Sequence, residues 1–128
     1  MIKDTALAGF QLNIDAWLRE CLGAQIAYHI QERGYRFFEE ALELVQSAGI
    51  TKEEVLKLVD YTYTRPVGEP AQEVGGVMVT LAALCTALEL DLIECSLAEL
   101  DRIRDSIEVI RAKHHTKLTP IPKEVHHG

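Results

Sequence analysis

Several features that mark common classes of protein are missing from this sequence. There is no surplus of positive charge, because 13 Lys and Arg residues stand against 20 Asp and Glu residues, for a formal net charge of −7. That balance opposes the counterion-release attraction that drives polynucleotide binding. We therefore expect no polynucleotide partner, whereas a single nucleotide held through a metal ion is compatible with the charge.

Cysteine is scarce and is not arranged for metal binding. Cys21, Cys85 and Cys95 are odd in number and have no Cys-x-x-Cys spacing. We interpret them as reduced, mostly buried thiols of a cytoplasmic protein, which excludes a thiolate zinc site. The sequence also lacks a Walker loop, a nucleophile elbow and the Glu-x-x-His motif of di-iron helix bundles.

Long hydrophobic runs are missing as well. The longest apolar window, from Val77 to Leu90, is interrupted by Thr80 and Thr86 and is followed by acidic residues. No apolar segment follows the first five residues, as a secretory signal would require. We therefore expect neither a signal peptide nor a membrane span.

Apolar residues spaced three and four apart dominate the 128 residues, and no strand-length alternation interrupts them. The sequence therefore predicts an all-α protein, a bundle of four to five helices in a single domain over residues 1–118, followed by a loose tail over 119–128. The predicted helices span about 6–22, 24–47, 55–61 and 71–90, with a fifth beginning near 96. Two capping boxes, Thr51-Lys-Glu-Glu54 and Ser96-Leu-Ala-Glu99, mark the starts of helices. The connector 61–70 leaves room for a short strand pair.

The two last helices are rich in apolar residues. The helix over 71–90 is predicted to bury one stripe, and the fifth helix another. The first stripe contains Val74, Val77, Met78, Leu81, Leu84, Cys85 and Leu88, and the second contains Leu97, Leu100, Ile103, Ile107 and Ile110. This apolar content is generous for one small bundle, so we expect part of it to form a symmetric interface in a homodimer or homotetramer.

Acidic residues cluster on the second predicted helix. Glu43 is a helical neighbour of both Glu39 and Glu40, and each like-charged pair costs an exposed helix roughly 0.2–0.5 kcal/mol. A divalent cation would offset that repulsion, and Glu73 on the later helix would join the cluster if the two helices are antiparallel neighbours. The alternative is a solvated acidic face, because glutamates mostly lie outside.

Two segments resemble the MazG-like all-α nucleoside triphosphate pyrophosphohydrolases. Residues 36–46 (Arg-Phe-Phe-Glu-Glu-Ala-Leu-Glu-Leu-Val-Gln) and residues 73–84 (Glu-Val-Gly-Gly-Val-Met-Val-Thr-Leu-Ala-Ala-Leu) match that family's E-x-x-E helix and its later E-x-x-D helix. By this resemblance, Glu40, Glu43 and Glu73 are metal ligands. The implied reaction is hydrolysis of (d)NTP between the α and β phosphates, which suits the clearing of unwanted nucleotides.

The resemblance implies further roles and one departure. Mg²⁺, or Mn²⁺, would be the cofactor, Glu39 would orient the attacking water, and Arg36 and Arg65 are candidates for phosphate contacts. Arg36 can alternatively pair with a carboxylate one turn later. Gly76 stands where the family has Asp, which leaves two alternatives: one metal enters with the nucleotide, or Glu69 substitutes for the Asp.

Gly76 also leaves rival hypotheses open. The chain can be a catalytically degenerate MazG-like oligomer that binds nucleotide or a protein partner without hydrolysis, or a purely structural dimerisation bundle. Gly75 and Gly76 each cost a helix interior about 1 kcal/mol relative to alanine. Their presence predicts a close approach by a neighbouring helix, by a phosphate or by a metal, unless the helix begins only after Gly76.

Overall fold

The structure is a computed structural model, and it describes residues 5–119. The predicted tail, apart from Thr119, lies outside that range. The seven helices of the described residues are α1 Thr5–Leu22, α2 Ala24–Ala27, α3 Ile30–Ser47, α4 Lys52–Tyr63, α5 Pro70–Ala87, α6 Leu92–Arg104 and α7 Ile107–His114. This part of the chain contains no strand, which confirms the all-α prediction and leaves the connector without the strand pair.

The predicted helix over 24–47 is wrong in one respect, because two helices occupy that stretch. Gly23, with φ 81°, ends α1 as predicted, and α2 then runs for a single turn. The chain breaks at Tyr28 and His29, where the imidazole Nδ1 accepts the backbone N–H of Glu32 at 3.2 Å. His29 thus provides the acceptor for a backbone N–H that has no partner within the first turn of α3. Ser, Thr, Asp or Asn more often has this capping role.

The capping box at Thr51 is confirmed. Its hydroxyl accepts from the backbone N–H of Glu54 at 3.2 Å, and the Glu54 carboxylate accepts from the backbone N–H of Thr51 at 3.0 Å. Helix α4 therefore starts directly after this cap and spans Lys52–Tyr63, so the predicted helix over 55–61 is too short at both ends. Helix α5 starts at Pro70, a residue whose missing N–H suits a first turn.

The second predicted capping box, at Ser96, is wrong. Helix α6 begins earlier, at Leu92, because the side chain of Asp91 accepts the backbone N–H of Glu94 at 2.8 Å. Ser96 lies inside the helix, where its hydroxyl donates to the carbonyl of Leu92. A break at residues 105–106 then separates α6 from α7, so the predicted fifth helix is also two helices.

The chain divides into two compact units, one of Met1–Phe38 with Ala98–Gly128 and the other of Glu39–Leu97. In the first unit Cys21, Ala27 and Leu100 are buried. The indole N–H of Trp17 donates to the carbonyl of Ile103 at 3.2 Å. This hydrogen bond joins α1 to the last turn of α6.

Arg111 on α7 secures the end of α1 in the same unit. Its Nε donates to the carbonyl of Cys21 and its Nη2 to the carbonyl of Glu20, both at 2.8 Å. The last carbonyls of a helix have no partner within the helix, and the end carries partial negative charge. The Arg111 guanidinium therefore supplies both hydrogen-bond donors for these carbonyls and a positive charge at the helix end.

The second unit, Glu39–Leu97, has no buried residue. The predicted buried stripe of α5 is therefore wrong over much of its length: Val74, Val77, Met78 and Leu88 are exposed, and Leu81, Leu84 and Cys85 are only partly buried. Every residue from 71 to 80 is exposed. The physical reason is that no other part of the described chain packs over the first half of α5.

Within residues 5–119 no single helix is long and apolar enough to cross a membrane; α5 and α6 meet that standard only as a pair bent by 101°.

Candidate functional site

The predicted acidic cluster lies on α3, in the second unit. Glu39 is partly exposed, and Glu40 and Glu43 are exposed. Because α3 is continuous from Ile30 to Ser47, Glu40 and Glu43 are one turn apart on one side of that helix. Glu43 makes no ion pair with any other residue in the range 5–119, so its charge is not compensated there.

Glu73 lies in the first turn of α5 and is also exposed. Its carboxylate folds back over the connector, where a β-carbon on Gly68 would stand only 2.6 Å from Oε1. The positive end of the helix dipole favours a carboxylate at this position. Glu69, the residue before α5, is exposed and makes no side-chain cap.

The structure does not gather the predicted ligands into a cluster. Among residues 5–119, no three His, Cys, Asp or Glu side chains lie together where they could hold a metal ion. Glu40 and Glu43 are thus neighbours on α3, but Glu73 is not grouped with them in one chain. Their roles as ligands remain predictions.

Gly75 and Gly76 lie inside α5, so the alternative that the helix begins after Gly76 is wrong. A β-carbon built on either glycine meets nothing within 4 Å. The close approach predicted from this pair is therefore not made by any described part of the same chain.

Arg65 follows α4 and is exposed. Its guanidinium stacks over the ring of Tyr61 at 5.3 Å from the ring centre, in a cation–π contact. Its backbone N–H donates to the carbonyl of Thr62 at 3.1 Å. The side chain is therefore oriented by the end of α4 while its N–H groups remain accessible to solvent.

The guanidinium of Arg36 is engaged by other residues of the chain in this structure, so it does not present its donors to a phosphate. Its Nε lies 3.8 Å from the carboxylate of Glu32, a residue only 7% exposed, and its Nη2 donates to the carbonyl of Leu118. Nδ1 of His114 lies 4.0 Å from the same carboxylate. Arg33, one turn before Arg36, has its Nε and Nη2 buried without a hydrogen-bond partner.

This second cluster of Glu32, Arg33, Arg36 and His114 was missed from the sequence. Glu32 and Arg36 have the spacing of a helical ion pair, which was a local signal. His114, however, is 82 positions from Glu32 and became part of the cluster only through tertiary packing. Burial lowers the pKa of His114, and the guanidinium groups and His115 act in the same direction, whereas Glu32 opposes them.

The donor atoms on α3 and α5 are carboxylate oxygens, which hard cations such as Mg²⁺ prefer, and their exposure leaves room for water and phosphate. The second cluster offers guanidinium donors but only one carboxylate. Its chemistry suits an anion better than a metal. The chain matches no protein-family model, no curated protein and no solved structure.

Proposed function

We propose that the protein is a Mg²⁺-dependent nucleoside triphosphate pyrophosphohydrolase that converts a (d)NTP to the monophosphate and pyrophosphate. The observation that carries the proposal is the pair of exposed carboxylates, Glu40 and Glu43, one turn apart on α3. Glu73, exposed in the first turn of α5, supplies a third carboxylate from a second helix of the same unit.

The donor chemistry of these residues fits Mg²⁺, which takes oxygen ligands and keeps waters or substrate phosphates in its other positions. Glu40, Glu43 and Glu73 would hold the ion. When bound, it would neutralise phosphate oxygens and lower the pKa of a water molecule. Exposure of Glu43 without an ion pair means that no internal salt bridge has to break before it can bind a cation.

Glu39 is assigned the general base, because it precedes Glu40 on α3 and is partly exposed. It would accept the proton of the attacking water as that oxygen bonds to the α phosphorus. The bond from the α phosphorus to the bridging oxygen then breaks, and pyrophosphate leaves. The proton returns to solvent when product departs.

Arg65 is the better of the two candidate phosphate contacts. Its guanidinium is exposed and steadied by Tyr61, whereas that of Arg36 is already engaged with Glu32 and Leu118. A planar guanidinium can donate two hydrogen bonds to one phosphate. Arg65 would therefore fix the leaving pyrophosphate.

The test is to incubate the purified chain with a panel of NTPs and dNTPs in Mg²⁺ or Mn²⁺ and to measure monophosphate and pyrophosphate. We expect both products in equal amounts, and we expect Glu43→Gln to lose at least tenfold in rate. Glu53→Gln is the matched control, since Glu53 is an exposed helical glutamate whose partner is Lys57 at 3.7 Å. No pyrophosphate from any nucleotide would refute the proposal.

One observation favours a second candidate, a helical oligomer that binds nucleotide without hydrolysis. Gly76 has no side chain at the position where the MazG-like family has a metal ligand. Within residues 5–119 no three His, Cys, Asp or Glu side chains lie together where they could hold a metal ion. Calorimetry separates the two functions. Nucleotide binding with no turnover in either metal would support the second, and steady release of pyrophosphate would remove it.

A further inference from the structure

The guanidinium of Arg33, on α3 in the first unit, has two buried donors that no part of the described chain uses. Its Nε and Nη2 are buried and have no hydrogen-bond partner. Arg33 also forms no ion pair within residues 5–119. Buried polar groups are nearly always paired, because a buried donor has lost its hydrogen bonds to water. The two N–H groups therefore lack an acceptor.

The charge around Arg33 is unbalanced in the same direction. Glu32 is the carboxylate of this cluster and is only 7% exposed, and Nε of Arg36 already lies 3.8 Å from it. Two guanidinium charges therefore stand beside one carboxylate. Burial lowers the pKa of Arg33, and Arg36 acts in the same direction, whereas Glu32 opposes them. Arginine nevertheless stays protonated in proteins, so the cluster lacks an anion.

We propose that Arg33 and Glu32 form a binding site for inorganic phosphate. The Nε and Nη2 donors lie on one edge of the guanidinium and match two oxygens of a single oxyanion. The Glu32 carboxylate would accept a hydrogen bond from a hydroxyl of the same phosphate. This site belongs to the first unit, whereas Glu40, Glu43 and Glu73 belong to the second. The inference is thus independent of the proposed enzymatic activity.

The buried carboxylate selects phosphate over other oxyanions. An ionised carboxylate only accepts hydrogen bonds, so the bound anion has to donate one to Glu32. Near neutral pH both forms of inorganic phosphate keep at least one hydroxyl. Sulfate and carboxylate ligands have none, so their oxygens would meet Glu32 as an unrelieved like charge in a buried place.

Two further residues hold Glu32 in position. Arg36 contacts it from one turn later on α3, and Nη2 of Arg36 also donates to the carbonyl of Leu118. Nδ1 of His114, on α7, lies 4.0 Å from the same carboxylate. The carboxylate is therefore fixed from two helices. Arg36 and His114 are positioning residues in this site, and Arg33 and Glu32 are the residues that bind.

The site is within reach of a small solute. Arg33 as a whole is half-buried, and its neighbour Gly34 is exposed. A β-carbon built on Gly34 meets nothing within 4 Å, so the surface of α3 is open beside the arginine. A small anion can therefore approach the guanidinium from solvent.

The experiment is isothermal titration calorimetry of the full chain at pH 7 with sodium phosphate and, in parallel, sodium sulfate. Ionic strength is held constant, EDTA is present and nucleotide is absent. We expect saturable binding of one phosphate and at least tenfold weaker binding of sulfate.

Arg33→Gln should weaken phosphate binding at least tenfold, because both donors of the guanidinium edge are lost. The substitution removes a buried charge that has no ion pair, so the chain should stay folded. Arg104→Gln is the matched control, since Arg104 is an exposed helical arginine of the same unit. It makes the same change in charge and should leave the phosphate constant unchanged.

Glu32→Gln tests the selectivity. The amide can donate to an anion and carries no charge, so sulfate should now bind as well as phosphate, to within about threefold. Glu99→Gln is the control, because Glu99 is an exposed glutamate paired with Arg102 at 2.6 Å. It should keep the preference for phosphate. Circular dichroism checks that each variant is folded.

Four results would overturn the proposal. The first is a wild-type chain without saturable phosphate binding, and the second is sulfate binding as tight as that of phosphate. The third is an Arg33→Gln variant that binds phosphate like the wild type. The fourth is equal weakening by Arg33→Gln and Arg104→Gln, because phosphate would then respond only to the net charge of the chain.

Discussion

The carboxylate of Glu73 lies against the backbone of Gly68, with Oε1 2.6 Å from the position that a β-carbon on Gly68 would occupy. The end of a glutamate side chain is free to turn, so a larger residue at position 68 would displace the carboxylate rather than distort the backbone. Gly68 therefore governs where the Glu73 carboxylate stands. This relationship gives a way to move a predicted metal ligand without removing it.

Gly68→Ala should lower Mg²⁺-dependent activity or Mg²⁺ affinity several-fold while changing the free energy of unfolding by less than about 1 kcal/mol. Enzyme assays across a Mg²⁺ titration, beside urea unfolding, measure the two effects. Gly9→Ala is the control, since a β-carbon there meets nothing within 4 Å. Identical Mg²⁺ titrations for wild type and Gly68→Ala would speak against Glu73 as a ligand.

Arg111→Ala should destabilise the first unit by about 1–3 kcal/mol, because two helix-end carbonyls lose charged hydrogen bonds. Arg102→Ala is the matched control: both arginines pair with a glutamate three positions earlier, Glu108 and Glu99 respectively. The Arg102 pair is exposed on one helix, so its loss should cost less than about 1 kcal/mol. Urea denaturation measures the loss of unfolding free energy in each variant, and equal losses for Arg111→Ala and Arg102→Ala would contradict the prediction.

Stability should fall as the pH drops from about 7 toward 5, because burial holds the pKa of His114 below its ordinary value of 6.5. The unfolded chain then binds a proton that the folded chain does not, so acid favours unfolding through this window. His114→Gln should flatten the dependence of unfolding free energy on pH. An unaltered slope in His114→Gln would be the contrary result.

Thr51→Ala should cost about 1 kcal/mol, within the range of 0.5–2 kcal/mol known for such caps, because the first turn of α4 loses its side-chain acceptor. Thr62→Ala makes the same chemical change at an exposed position inside the same helix, where alanine is the better helix former. It should be neutral or mildly stabilising. Hydrogen exchange of the α4 backbone amides shows where the helix is destabilised. We expect faster exchange in Thr51→Ala and not in Thr62→Ala.

Local signals predicted much of the secondary structure. Helix α1 ends at Leu22 as predicted, Thr51 forms the predicted capping box, and α5 starts one residue before the predicted 71. The local causes are a left-handed glycine at position 23, a hydroxyl cap at Thr51 and a proline in the first turn of α5, each of which acts on its own neighbours. The failures, at His29 and Ser96, are also local. In each case the backbone N–H found a different side-chain acceptor, either an imidazole or the carboxylate of Asp91.

The candidate site shows the same division between local and distant effects. The Glu40–Glu43 pair follows from helical spacing alone, and α3 presents it as predicted. Whether Glu73 joins that pair depends on packing between helices, and one chain does not bring the three together within residues 5–119. The cluster of Glu32 and His114 likewise has no signature in the spacing of the sequence, because its members come from opposite ends of the chain.

The amino-acid sequence by itself determined that the protein is helical, that α3 carries an acidic turn and that α5 is apolar, since these properties depend on residues a few positions apart. Only the tertiary structure decided which apolar stripes are covered. Cys21 is buried because α7 returns to the end of α1, whereas Val74 stays exposed because nothing in the described chain reaches it. Burial is a property of the surroundings, and the surroundings of a side chain are set by contacts far away in the sequence.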